Sequence, residues 1–217
     1  VGNHEYLTSG GTGCDSANRN AAGYFRYYAG APHEGKVGRG WYSFDLGSWH
    51  IIALNSNCGN VGGCGATSRQ GRWLTADLAR HPSRCTLAFW HIPLFSSGGR
   101  AAPNSQYFWQ ALYKAGADIV LNGHDHIYER FAPQNPAGKP DQASGIREFI
   151  VGTGGANHTS IVAPARNSQV RIATTFGVLE LKLHSGSYDW AFMPIGGKPA
   201  MDTGSGTCHH RARPRHR

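Results

Sequence analysis

Two short apolar runs, each ending in histidine at a chain reversal, constrain this sequence more than any other feature. Residues 86–90 (Thr-Leu-Ala-Phe-Trp) lead into His91, and Pro93 then breaks the run. Residues 119–121 (Ile-Val-Leu) lead into Gly123-His124-Asp125-His126. Short apolar runs bounded by turn residues read as buried strands. Glycine at 123 lets the backbone turn sharply after the second strand, so that His91, His124 and His126 all reach the C-terminal rim of one sheet. Between the runs, Phe108, Leu112 and Ala115 recur at helical spacing over 105–115, with Gly116 as the stop.

The rest of the chain extends the same architecture. Aromatic and β-branched residues on either side of Leu46-Gly47-Ser48 predict a hairpin over 40–55. Trp73, Leu74 and Leu78 predict a helix over 70–79, ended by His81-Pro82. Further strands are predicted over 146–151, 176–183 and 188–193. The order of strand, helix, strand, helix, strand and then several strands predicts a mixed α/β sandwich. At 217 residues, 40% of them hydrophobic, the chain fits one domain with a sizeable core. Residues 132–144, rich in Pro, Gly, Asn and Gln, predict a surface loop within it. The domain is expected over 1–203. Residues 204–217 have no apolar periodicity and are expected to form a disordered basic tail.

The formal charge of +8 exaggerates the basicity of the body, because Arg211, Arg213, Arg215 and Arg217 supply four of those charges. The tail has no interleaved aromatics, so nucleic acid is not an expected partner. No apolar run reaches the roughly 18 residues a membrane helix needs, and no membrane partner is expected. Of five cysteines, Cys58 and Cys64 bracket a glycine-rich loop that can close as a disulfide, with Cys85 as the alternative partner of Cys58. That favours an oxidising, secreted or extracytoplasmic location; Cys208 is expected to find its partner in an upstream segment.

Gly2-Asn3-His4-Glu5 joins the two histidine turns as a third stretch carrying metal-capable side chains. Imidazole suits zinc, iron and related ions, and an amide oxygen is a weaker ligand for the same site. The order Gly-Asn-His-Glu, then a strand-end His, then Gly-His-x-His resembles the last three of five motif blocks of the calcineurin-like metallophosphoesterases. The continuation Ile127-Tyr128-Glu129-Arg130 is similar to the purple acid phosphatase-like branch. This resemblance implies a sandwich of two mixed β-sheets flanked by helices (α/β/β/α), of which the chain is the C-terminal portion. It further implies two transition metal ions (Fe, Zn or Mn) and hydrolysis of a small or macromolecular phosphoester by a metal-bound hydroxide.

Position by position, the resemblance makes Asn3, His91 and His124 ligands of one ion and His126 a ligand of the other. It makes His4 the catalytic residue that contacts the phosphate and assists departure of the alcohol. Asp125 is simply the residue between two ligands, while Tyr128, Glu129 and Arg130 brace the loop. The family's aspartate block and Gly-Asp block lie upstream of Gly-Asn-His-Glu, which here begins at residue 2. The chain is therefore expected to be an N-terminally truncated piece holding part of the site, inactive alone. The alternative is a noncatalytic metal- or phosphate-binding module. Neither metal identity nor oligomeric state is legible.

Overall fold

A computed structural model of the chain describes residues 1–7, 21–28, 38–83 and 85–209. Two short helices, α1 (His4–Leu7) and α2 (Ala22–Tyr27), precede an antiparallel hairpin of β1 (Tyr42–Leu46) and β2 (Trp49–Ala53). Helix α3 (Arg69–Arg80) leads to β3 (Cys85–Phe89), and α4 (Gln106–Lys114) to β4 (Ile119–Asn122). Then come β5 (Tyr128–Phe131), β6 (Arg147–Val151), β7 (Ser168–Ile172), β8 (Gly177–Leu183), β9 (Ser187–Pro194) and β10 (Asp202–Thr207). The hairpin, both longer helices and the 86–90 and 119–121 strands thus fall where periodicity puts them. Ser68 caps α3 by accepting the Gly71 N–H at 2.9 Å.

Seven strands form one mixed sheet in the order β1-β2-β3-β4-β6-β5-β7, in which β2, β3, β4 and β6 run parallel. The other three form a separate sheet, β10-β9-β8. Alternation along each central strand divides the core. Ile52, Ala88 and Val120 face Leu74 and Leu78 of α3 and Phe108, Trp109 and Leu112 of α4. Ile51, Leu87, Ile119 and Phe149 face Tyr188, Trp190 and Phe192 of the second sheet. With both faces covered, all five residues of β2 are buried, which is why these strands read as continuous apolar runs.

The architecture is the expected α/β sandwich of two sheets, with two differences. The second sheet is antiparallel rather than mixed, because its strands are joined by short reversals and not by crossovers. Its outer face, where Val178 is 65% exposed, carries no helix among the described residues. No helix among the described residues is long and apolar enough to cross a membrane.

The tail is also corrected. Residues 204–207 belong to β10 and pair with β9; residues 210–217 lie outside the described residues. Gly204 and Gly206 look like linker residues in the sequence, but the rings of Trp190 and Tyr188 lie directly on them. A Cβ would stand 2.3 Å from Trp190 and 2.4 Å from Tyr188. Cys208, expected to pair upstream, is bonded to Cys85 and fastens the end of β10 to the start of β3. Cys58 is bonded to Cys64 as expected, and Cys14 lies outside the described residues.

At the N-terminal end of β2 a buried ion cluster joins the hairpin to α3. His50 Nδ1 stands 2.7 Å from Asp45 Oδ1 and Nε2 2.9 Å from Asp77 Oδ2, so the ring donates twice and carries both protons. Burial works against that charge, but the hydrogen bonds and charges of Asp77 and Asp45 outweigh it and raise the His50 pKa. Burial likewise acts to raise Asp77, yet the hydrogen bonds from His50 and Ser43 outweigh it and lower its pKa. The raised histidine contributes stability below its unfolded pKa of about 6.5, which is lost as pH rises through its folded value. The depressed aspartate contributes stability above about 3.9, lost as pH falls through its folded value. The melting temperature of His50→Gln is therefore expected to trail the parent most between about pH 4 and 6.5 and to approach it in alkali. A gap that is the same at every pH would remove this electrostatic account.

Candidate metal centre

Parallel register places His91 beside His124. Each follows its strand by two residues, and Phe89 pairs with Leu121. The ladder continues past the strand ends, with Trp90 N–H donating to Leu121 O at 3.1 Å and Gly123 N–H to His91 O at 3.0 Å. The sheet, not a loose loop, therefore carries both imidazoles. The N-terminal segment is tied to the same rim, since Asn57 Nδ2 donates to the carbonyls of Val1 and Gly2 at 3.2 and 3.3 Å. As a result Asn3 Oδ1 lies 2.8 Å from His91 Nε2, and His124 Nδ1 lies 3.2 Å from that nitrogen.

The sharp turn after β4 is made by His124 itself, at φ 64°, and not by Gly123. A left-handed conformation is uncommon for a non-glycine residue and concentrates at functional sites. His126 is fixed differently. Its Nδ1 lies 2.7 Å from the Asn157 carbonyl, to which it donates, so Nε2 keeps the lone pair. Its backbone N–H donates to Thr159 Oγ1 at 3.0 Å. His4 opens α1 with an exposed side chain. Asn3, His91 and His124 are thus in direct contact, whereas no bond among the described residues links His126 or His4 to those three.

Burial favours the uncharged form of both central imidazoles. Burial, then the charges of His124, the N-terminal amine, His4 and His126, push His91 down to about 4. Burial lowers His124 too; Asp125 opposes the shift, and Arg100, His126 and His4 add to it. Neutral imidazole is the form that ligates a metal. Two ligand atoms of one tetrahedral ion, each ~2.0–2.1 Å from it, lie about 3.3 Å apart. The 3.2 Å between His91 Nε2 and His124 Nδ1 is close to that spacing, whereas the 2.8 Å between Asn3 Oδ1 and His91 Nε2 is a hydrogen-bond distance that an ion between them would have to widen; their N and O donors suit a transition ion.

Two other clusters have ligand-like spacing, His50/Asp77/His81 and Cys85/Asp118/Cys208. Both ring nitrogens of His50 are occupied by carboxylates, and the two cysteines are joined to each other.

Sequence reasoning missed how the loop over the centre is held. Asp125 is not a free position between two histidines: it is fully buried and accepts from the Ser96 hydroxyl and, at 3.3 Å, from the Arg100 N–H. Glu129, also fully buried, accepts from the Ser97 N–H at 2.9 Å and from the hydroxyls of Ser97 and Ser168. Glu148 lies alongside; burial, with the Glu129 charge, pushes its pKa well above the usual carboxylate range. The one signal in the sequence was the run Ser96-Ser97-Gly98-Gly99-Arg100, polar and glycine-rich right after the break at Pro93.

No family model matches the chain. The acid phosphatase of Aspergillus ficuum is 27% identical over 174 residues, which cover 60% of this chain and 28% of that protein. Purple acid phosphatase 15 of Arabidopsis thaliana is 34% identical over 97 residues, 42% of this chain and 18% of that protein. Among solved structures, the purple acid phosphatase PPD1 from yellow lupin (Lupinus luteus) seeds superposes with a TM-score of 0.68 at 18% identity. That match covers 81% of this chain and 34% of the lupin one. The chain thus spans between 18% and 34% of the length of these relatives. In sequence and in fold, its likeness is to a portion of a purple acid phosphatase.

Proposed function

We propose that the chain carries the histidine-rich part of a metal-dependent phosphoester hydrolase. The observation that supports this most is the convergence of three distant segments on His91 Nε2, which has Asn3 Oδ1 at 2.8 Å and His124 Nδ1 at 3.2 Å. The acid phosphatases it resembles supply the reaction class. In this reading Asn3, His91 and His124 hold one ion (Fe, Zn or Mn), and His126 offers Nε2 to a second. A bound ion supplies Lewis acidity toward a phosphoryl oxygen and lowers the pKa of water. His4 stands exposed beside the cluster, where its imidazole gives a proton to the departing alcohol. The substrate is a phosphoester, small or macromolecular. The two disulfides support a secreted or extracytoplasmic location.

The test is metal content together with turnover. The purified chain is titrated with zinc, iron and manganese, and release of an aryl alcohol from its phosphate is measured alongside. One ion is expected to depend on both His91 and His124. Removing either imidazole is expected to weaken it by more than the roughly 10- to 100-fold that loss of an outer partner costs. Binding that persists unchanged in His91→Ala and His124→Ala would place the metal elsewhere. Tight, His91-dependent binding without turnover under any of the three metals, in a longer form that also carries the aspartate and Gly-Asp blocks, would favour a noncatalytic binding module.

A further inference from the structure

The loop 96–100 is held more firmly than a surface connection requires, and what it presents is a bare cation. Asp125 grips it through the Ser96 hydroxyl and the Arg100 N–H. Glu129 grips it through the Ser97 N–H and hydroxyl. From the other side Val162 N–H donates to Ser97 O at 2.9 Å, and Ala165 N–H to Ser97 Oγ at 2.9 Å. Gly98 packs so tightly on Asp125 that a Cβ there would stand 2.6 Å from its carboxyl carbon. At the end of this clamp Arg100 is exposed, and among the described residues its guanidinium has no hydrogen-bond or ion-pair partner. Its main chain is bonded to the residue between His124 and His126, so its side chain starts one hydrogen bond away from the histidine turn.

Resting on the phosphoester reading above, we propose that Arg100 is a substrate-binding residue that holds a non-bridging phosphoryl oxygen over the histidine cluster, and that Asp125 is the positioning residue that fixes Arg100 there. The chemistry suits both parts. A guanidinium presents a fork of donors matched to phosphate oxygens, and an unpaired one loses no existing ion pair on binding. Asp125, sealed from water, receives both loop bonds on Oδ2 and so serves as the loop's anchor, while its buried Oδ1 has no hydrogen-bond partner among the described residues. The clamp limits the freedom lost on binding, which favours affinity.

Inorganic phosphate is the probe, titrated calorimetrically into the chain with and without zinc at fixed ionic strength. Arg100→Gln is expected to weaken phosphate about 10- to 100-fold, as for loss of a charged hydrogen bond, and Arg100→Lys by less. Arg69→Gln, an exposed arginine of α3, is expected to change nothing. Asp125→Asn is expected to weaken phosphate in the parent and to add no further loss in the Arg100→Gln background, because it acts through the arginine. Unchanged phosphate affinity in Arg100→Gln overturns the proposal, and additive losses overturn the positioning role of Asp125. Arg100-dependent phosphate binding in a longer form that carries the aspartate and Gly-Asp blocks yet hydrolyses no phosphoester keeps the anion site and removes the hydrolase. Turnover whose KM and kcat are unchanged in Arg100→Gln keeps the hydrolase and removes the anion site.

Discussion

Replacing Asp202 with Ala is expected to lower the free energy of unfolding by about 3–5 kcal/mol, the cost of breaking a buried ion pair from one side. Its carboxylate accepts from Tyr128 Oη at 2.6 Å, from Arg130 Nε and Nη2 at 2.7 and 3.1 Å, and from Trp190 Nε1 at 3.2 Å. Arg130 and Arg147 also stand over the Trp190 ring, 5.1 and 4.8 Å from its centroid. One buried carboxylate on β10 therefore satisfies donors from β5 and β9 and joins the two sheets. Burial, with the Asp202 hydrogen bond and charge, raises the Tyr128 phenol far above its usual pKa, so it stays a neutral donor. Without the carboxylate, a guanidinium, a phenol and an indole N–H lose their partner in a dry layer. Asp202→Asn keeps the volume and one acceptor and is expected to lose less. Urea unfolding at unchanged m-value checks both, and a loss below about 1 kcal/mol for Asp202→Ala would show that water or repacking replaces the carboxylate.

The same network marks the border of what the sequence makes legible. Strands covered on both faces, such as 85–89 and 119–122, betray themselves as apolar runs, and α3 and α4 by period and stop signals. Strand β5 does not, because Tyr128-Glu129-Arg130-Phe131 sets two adjacent charges between aromatic rings and reads as a loop brace. Its glutamate is buried on serines 97 and 168, and its arginine on Asp202, partners distant in sequence and invisible locally. Strand β10 is hidden for the opposite reason: it is built of small and polar residues, and its two glycines make room for Trp190 and Tyr188. In the centre, chain reversals at strand ends bring His91 and His124 together, because a parallel sheet carries such ends to one rim, while Asn3 reaches them through the Asn57 bonds to Val1 and Gly2. Asp125 and Arg100 escaped because their roles depend on a loop whose register no pattern declares.

In metal-loaded protein that hydrolyses an aryl phosphate, His4→Ala is expected to lower kcat about 10²- to 10⁴-fold, the range for a positioned acid or base, and to leave metal content near normal. His4 is exposed and has no hydrogen bond to Asn3, His91 or His124 among the described residues, so removing it should not open the ligand set. His91 is the hub of that set, within 2.8 Å of Asn3 Oδ1 and 3.2 Å of His124 Nδ1. His91→Ala is therefore expected to lower metal content and turnover together. The contrast separates two roles that both appear as inactivity when turnover alone is measured. Proton delivery to a leaving group also has a chemical signature. Esters of acidic phenols depart without help, so the His4→Ala loss should shrink as the leaving alcohol becomes more acidic, whereas the His91→Ala loss should not depend on it. If His4→Ala emptied the site of metal while His91→Ala left it filled, the two assignments would have to be exchanged. An equal loss on every leaving group would instead make His4 a phosphate-binding residue with no part in proton transfer.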